Sequence, residues 1–171
     1  MKLLAYSFTA IFVFISTASA NYLNPLISPE ELYDRLGQAK PIILDIRGDA
    51  YTEGHIPGSI SAPYSMFRVP KNNPGQLLDE DTLEQRFEAL GLDFNRPIVI
   101  VSEGKSNSDF GAAARVYWTL KSSGFTDLAV LNGGKLGWEA AGQSIDKISV
   151  KPNATELDIT FSQQWTASTE Q

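Results

Sequence analysis

The chain has 171 residues, room for one domain rather than two, and 43% of them are hydrophobic, enough for an ordinary packed core. Twenty acidic against 14 basic residues give a formal net charge of −6, and there is no basic run, which argues against binding to nucleic-acid phosphates. Cysteine is absent, so thiolate nucleophiles, persulfides, disulfides, lipidated cysteine and thiolate metal sites are all excluded.

Residues 1–20 read as a signal peptide. Lys2 supplies a short positive region, Leu3 to Ile15 is largely apolar, and Ala18-Ser19-Ala20 ends in the small-x-small pattern of a cleavage site. The apolar run is shorter than the ~20 residues that a spanning helix needs. The expectation is an exported protein, periplasmic or secreted, starting at Asn21 with a globular domain over 21–146 and a tail over 147–171.

Asn21 to Ile27 reads as an irregular lead-in. Ser28-Pro29-Glu30-Glu31 then starts a helix: Ser28 caps, Pro29 suits the first helical position, and Glu31 completes a capping box. That helix should end at Gly37. Ile42 to Ile46 is a candidate buried strand flanked by the charged residues Asp45 and Arg47. A connection rich in glycine and proline follows at Gly54-His55-Ile56-Pro57-Gly58, then a short apolar stretch at Ile60 to Ala62. Tyr64 to Leu78, with Pro70, Pro74 and Gly75, reads as a surface loop. Asp81 to Glu84 starts another helix, with Leu83, Phe87 and Leu90 on one face and Gly91 at its end.

Ile98-Val99-Ile100-Val101 is β-branched throughout, the pattern of a strand buried on both faces of a parallel sheet. Ser102 to Ser108 contains no apolar residue, and from Asp109 onward a helix runs to Gly124, capped by Ser108 or Asp109. Leu128 to Leu131 is a further strand. Asn132-Gly133-Gly134 turns into a short helix carrying Trp138, expected in the core, and ending at Gly142. Leu157 to Phe161 alternates, as an edge strand or an extended arm would. Strands alternating with helices predict three layers, α/β/α, around a central parallel sheet of about five strands.

In open α/β folds, ligands sit where strand C-termini feed helix N-termini. The loop Ser102, Glu103, Gly104, Lys105, Ser106, Asn107 and Ser108 is therefore the candidate ligand-binding element. Its N–H groups, with Lys105 and the hydroxyls of Ser106 and Ser108, suit a small oxyanion such as thiosulfate, sulfate or phosphate. Glu103 and Asp109 oppose one. Asp45 and Arg47 are expected to pair internally or anchor backbone. Arg115 is expected to pair with an acid or, more remotely, to reach a bound anion. Gly104-Lys105-Ser106 is not a phosphate loop, because that motif requires a glycine where Val99 stands. Asn153-Ala154-Thr155 fits a glycosylation acceptor in a eukaryotic secretory route. No cluster has metal-ligand spacing, and no cofactor is expected.

Three pieces in order carry a resemblance: Asp45-Ile46-Arg47 with Tyr51 and Gly54 to Ile60; the strand and loop from Pro97; and Leu131-Asn132-Gly133-Gly134 with Trp138 and Ala141-Gly142. Together, from about Ser28 to Ile145, they resemble a rhodanese-like domain. Ala113 to Trp118 is particularly similar to the non-catalytic first half of two-domain sulfurtransferases. The resemblance implies a parallel sheet flanked by helices, with a reactive cysteine opening the loop after the fourth strand. Ser102 stands in that place, and the loop lacks both the thiol and the arginines of active members.

An alcohol cannot replace the thiolate, being essentially un-ionised near neutral pH without a base. His55, the sole histidine, matches a turn-forming segment of the family. A pair of Lys105 with Ser102 or Ser106 is poorly placed for a serine hydrolase. The expected function is thus a non-catalytic binding module for a small oxyanion or a protein partner, such as a cysteine-bearing sulfurtransferase domain. In that case Tyr117 packs inward, Trp118 faces the partner, and a missing partner half leaves an apolar patch. The alternatives are a sulfurtransferase acting by an unrecognised route and a serine-dependent hydrolase.

Overall fold

The computed structural model describes residues 23–38, 40–69 and 75–166. The expected signal segment lies outside the described residues, as do Pro70 and Pro74 of the expected surface loop. No helix among the described residues is long and apolar enough to cross a membrane.

Five parallel strands form one sheet in the order β1-β5-β4-β2-β3: β1 (Leu26–Ile27), β2 (Ile42–Asp45), β3 (Ile60–Ser61), β4 (Ile98–Val101) and β5 (Leu128–Leu131). The lead-in is therefore partly a strand, since Pro25 O and Ile27 O accept the N–H groups of Val130 and Asn132. Two residues of β-structure carry too weak a local pattern to be read without their partner.

The helices are α1 (Pro29–Leu36), α2 (Glu80–Ala89), α3 (Asn107–Ser122) and α4 (Gly134–Ala140). The strand period of two sorts the core into two clusters. Ile42, Leu44, Ile98, Ile100, Leu128 and Val130 pack with Leu83 and Phe87 of α2 and Val116 and Leu120 of α3. The alternate residues Ile43, Val99, Val101, Ala129 and Leu131 pack with Leu32 of α1 and Trp138 of α4. The three-layer expectation holds for that reason. Trp138 is buried as expected, and its indole N–H donates to Ser144 O at 2.8 Å.

Several boundaries differ from the sequence reading. The helix expected to start at Asp81 starts at Glu80 and is capped by Asp79, whose carboxylate accepts the Thr82 N–H at 2.8 Å. Hydrogen bonds from both the hydroxyl and the amide of Thr82 hold the Asp79 carboxyl below the usual range. The cap of α3 is Ser106, and Asp109 completes a reciprocal capping box. The expected loop after Tyr64 begins with a 3-10 turn, Tyr64–Phe67, which buries Phe67.

The alternating stretch near the C-terminus adds no strand. It lies as an extended arm across α2 and α3, its backbone N–H groups held by helix carboxylates. Leu157, Ile159 and Phe161 donate to Glu88, Glu84 and Glu80 at 3.0, 2.8 and 2.6 Å. Four helical residues advance about 6 Å and two extended residues about 6.8 Å, so glutamates every fourth position meet every second N–H. Trp118, expected to face a partner, instead donates its indole N–H to Trp165 O of this arm at 2.8 Å.

Candidate functional site

The strand ends of β2 and β4 bring Arg47 beside the loop that begins at Ser102. Arg47 is almost wholly enclosed, and its guanidinium chelates the buried Asp45 carboxylate, the closest contact being 2.7 Å. It also donates to Gly54 O at 2.7 Å and to Glu103 Oε2 at 3.0 Å. Burial opposes the charge on Arg47, but Asp45 and Glu103 overcome it and raise its pKa above the ordinary value. For Glu103, burial likewise pushes the carboxyl up, and the ion pairs with Arg47 and with Lys105 Nζ, 3.2 Å away, hold it below the ordinary value. The internal pairing expected of Asp45 and Arg47 is present, and it extends into the loop.

A cleft of about 280 Å³ opens above these residues. Ile46, Ala50 and Ala112 give it apolar walls, while Arg47, Glu53, Ser102, Glu103, Lys105 and Asp109 supply its polar groups. Ser102 is only 5% exposed, and among the described residues its hydroxyl has no hydrogen-bond partner. Its backbone is fixed from the other side. Ser102 O and Glu103 O accept the N–H groups of Lys135 and Leu136 at 2.8 and 3.1 Å, which satisfies the N-terminus of α4. That approach requires glycine. A Cβ on Gly104 would lie 1.9 Å from Gly133 O, and one on Gly134 would lie 2.4 Å from Ser102 O.

Three of the donors expected to cradle an oxyanion, the Lys105 and Ser106 N–H groups and Lys105 Nζ, are engaged by the protein itself. Lys105 N–H and Ser106 N–H both donate to Asp109 Oδ2, at 2.8 and 3.0 Å, and Asp109 N–H donates back to Ser106 Oγ at 3.3 Å. The loop carries its own carboxylate where an external anion would sit.

Of the residues singled out in the sequence, Arg47, Ser102, Glu103 and Lys105 line the cleft. Asp45 lies beneath it. Gly104, Ser106, Asn107 and Ser108 form the exposed outer loop and first turn of α3, outside the lining. Arg115 points elsewhere: it donates to Gly75 O and Gln76 O at 3.1 and 2.8 Å and lies over the Trp118 ring at 4.7 Å.

Sequence reasoning misses Glu53, which a 3-10 turn (Gly48–Glu53) swings to the cleft. No periodic signal marks such a turn. It finds Asp109 only as a cap or an opposing charge, not as the loop's internal ligand.

No side chain in the cleft serves Ser102 as a base. Lys105 is 69% exposed at its side chain and paired with Glu103. His55 is fully buried, stacked on Tyr51 with centroids 3.8 Å apart. Its ring nitrogens face Tyr51 O at 2.8 Å and both Ile148 O and Asp146 Oδ1 at 3.1 Å, so it anchors the chain after α4. Among the described residues, no group of histidine, aspartate and glutamate is arranged to hold a metal ion.

Comparison with known proteins places this geometry. The family described as Rhodanese-like domain matches residues 28–141. A putative thiosulfate sulfurtransferase of Synechococcus elongatus is 31% identical over 135 residues, covering 77% of this chain and 41% of that protein. The thiosulfate sulfurtransferase of Pseudomonas aeruginosa is 32% identical over 152 residues, covering 85% of this chain and 53% of its own. The chain thus spans about half the length of these curated relatives. Among solved structures, SseA of Escherichia coli, a 3-mercaptopyruvate sulfotransferase, superposes with a TM-score of 0.69 at 18% identity, over 83% of this chain and 57% of that one. With the matched family spanning two thirds of the chain and the sheet, loop and Gly133-Gly134 turn in place, the protein belongs to the rhodanese-like domain family.

Proposed function

We propose that this protein is a non-catalytic rhodanese-like domain that works by binding another protein at the cleft above Ser102. One observation carries the reading: a chain without cysteine presents a serine, with no neighbouring base, where the resemblance puts the sulfur-carrying residue. The hydroxyl is essentially un-ionised near neutral pH, and it cannot carry a transferable sulfane atom.

Two exposed apolar side chains beside the loop favour a protein over a small molecule. Phe110 is 54% exposed and Leu136 is 36% exposed, and their amides bond to Ser106 O and Glu103 O respectively. Large exposed apolar groups beside a polar cleft are what a protein contact covers. The partner we favour is a cysteine-bearing sulfurtransferase domain, because the curated relatives are about twice as long as this chain. We further propose that the meeting takes place outside the cytoplasm, in a periplasm or beyond it, on the strength of the leader-like segment 1–20. A small oxyanion is the second reading, resting on Lys105; the capture of the Lys105 and Ser106 N–H groups by Asp109 weighs against it.

Thiosulfate-to-cyanide transfer by the purified protein tests the proposal. The expected rate equals that of a protein-free control, and intact mass shows no reductant-labile gain of one sulfur after thiosulfate treatment. Turnover above the control overturns it. Ester hydrolysis abolished by Ser102→Ala would instead establish a serine hydrolase.

A further inference from the structure

The charges around the cleft do not suit an anion. Glu53, Glu103 and Asp109 face Arg47 and Lys105, and the buried Asp45 beneath already takes much of Arg47's charge. Glu103 is shared between Arg47 and Lys105. Asp109 is held by backbone N–H groups, which leave its negative charge in place. Glu53 is exposed and has no ionic partner among the described residues. The surplus is therefore negative at the rim.

At the base stands a second, independent feature. Ser102 is more than nine-tenths buried and lines the cleft, and its hydroxyl has no protein partner among the described residues. A hydroxyl in that state donates to or accepts from whatever enters, and the negative rim selects a cationic donor. A volume of about 280 Å³ is at or just below the lower end of ligand pockets, suited to one long side chain rather than a drug-sized molecule.

We propose that the cleft receives the cationic tip of a lysine or arginine side chain from the partner protein, with Ser102 Oγ accepting from it and Glu53 and Asp109 supplying the opposing charge. The apolar stem of such a side chain matches the walls of Ile46, Ala50 and Ala112. The neighbouring backbone of the partner then covers Phe110 and Leu136. This inference rests on the protein-binding reading above and names the chemistry that reading requires.

The test is an NMR titration of the isotope-labelled protein with Nα-acetyl-lysine methylamide, its Nε-acetylated analogue, a capped Leu-Lys-Leu peptide and sodium thiosulfate. The lysine probe is expected to shift the amides of 46–53 and 102–109 saturably, and the neutral analogue to leave them unmoved. The peptide is expected to bind at least tenfold more tightly than the lysine probe, and Glu53→Gln to weaken both several-fold. Glu53 has no ionic partner to lose, so that variant should fold as the parent does. Equal affinity for peptide and capped lysine would overturn the protein source in favour of a free amine. Thiosulfate moving the same amides while lysine does not, or no probe moving them, would overturn the cationic ligand while leaving the lack of transferase activity intact. Turnover of thiosulfate, read separately, would overturn the non-catalytic reading itself.

Discussion

Arg47 Nη1 lies 3.0 Å from Glu103 Oε2 while the same guanidinium chelates Asp45, so one side chain ties the end of β2 to the loop that follows β4. Arg47→Ala leaves the fully buried Asp45 carboxylate without its counter-charge, and breaking a buried pair from one side costs about 3–5 kcal/mol. Chemical denaturation should show a loss of that order. A change under about 1 kcal/mol would mean that the pair is not buried in solution.

The same pairing makes stability depend on acid. Glu103 titrates lower in the folded chain than at its unfolded value of 4.5, so its contribution is fully present above that pH and is lost as pH falls through the lower folded value. Glu103→Gln should flatten this part of the pH–stability curve below 4.5. An unchanged acid limb in the variant would contradict the ion-pair geometry.

Ser102→Cys should not restore sulfur transfer. The new thiol would stand among the carboxylates of Glu103 and Asp109, which disfavour its thiolate, and the loop N–H groups of Lys105 and Ser106 are already committed to Asp109. The expectation is a thiol that alkylates with a pKa above the ordinary ~8.5 and a transfer rate at the level of the parent. Rapid alkylation at neutral pH with measurable turnover would show that the loop is still built for a thiolate.

The C-terminal arm depends on its carboxylate ladder. Ile159 is buried, so Glu84→Ala removes the acceptor of its N–H and should cost about 1–3 kcal/mol. Ending the chain at Val150 should cost more, since it also removes the buried Ile159 side chain, whose full burial contributes about 1.5–3 kcal/mol, and the smaller contributions of the half-buried Leu157 and Phe161. Thermal melts read both changes, and amide exchange of 157, 159 and 161 reads the Glu84 substitution. Equal stability with and without the arm would show that it does not dock.

Gly134→Ala addresses the contact that sets the loop. Its φ of +57° disfavours any Cβ, and Ser102 O stands 2.4 Å from where that atom would go. The loop must move, at a cost of more than about 1 kcal/mol, and the amides of 102–106 should shift in NMR spectra. Gly142→Ala, also at positive φ but with open space around the added atom, is the control for backbone strain alone. Equal effects at the two positions would refute the close approach.

The run Ile98 to Val101, the cap at Ser28 and the Gly133-Gly134 turn disclose the layers and the loop from residue order alone, because burial on two faces, capping and tight turns are local demands on residue type. The absence of cysteine decides as much about chemistry, since no fold supplies a missing atom. What folding alone decides is pairing across distance. The two residues of β1 become a strand only against β5, and Glu80, Glu84 and Glu88 become a ladder only because the arm lies down on α2. Asp109 is legible as a helix cap, yet its filling of the loop's donor site depends on a chain reversal within five residues. Glu53 reaches the cleft only through the turn after Arg47. The sign of the charge that the cleft presents follows from those placements, because Coulomb attraction acts between neighbours in space, and in this loop the neighbours are not those the chain order names.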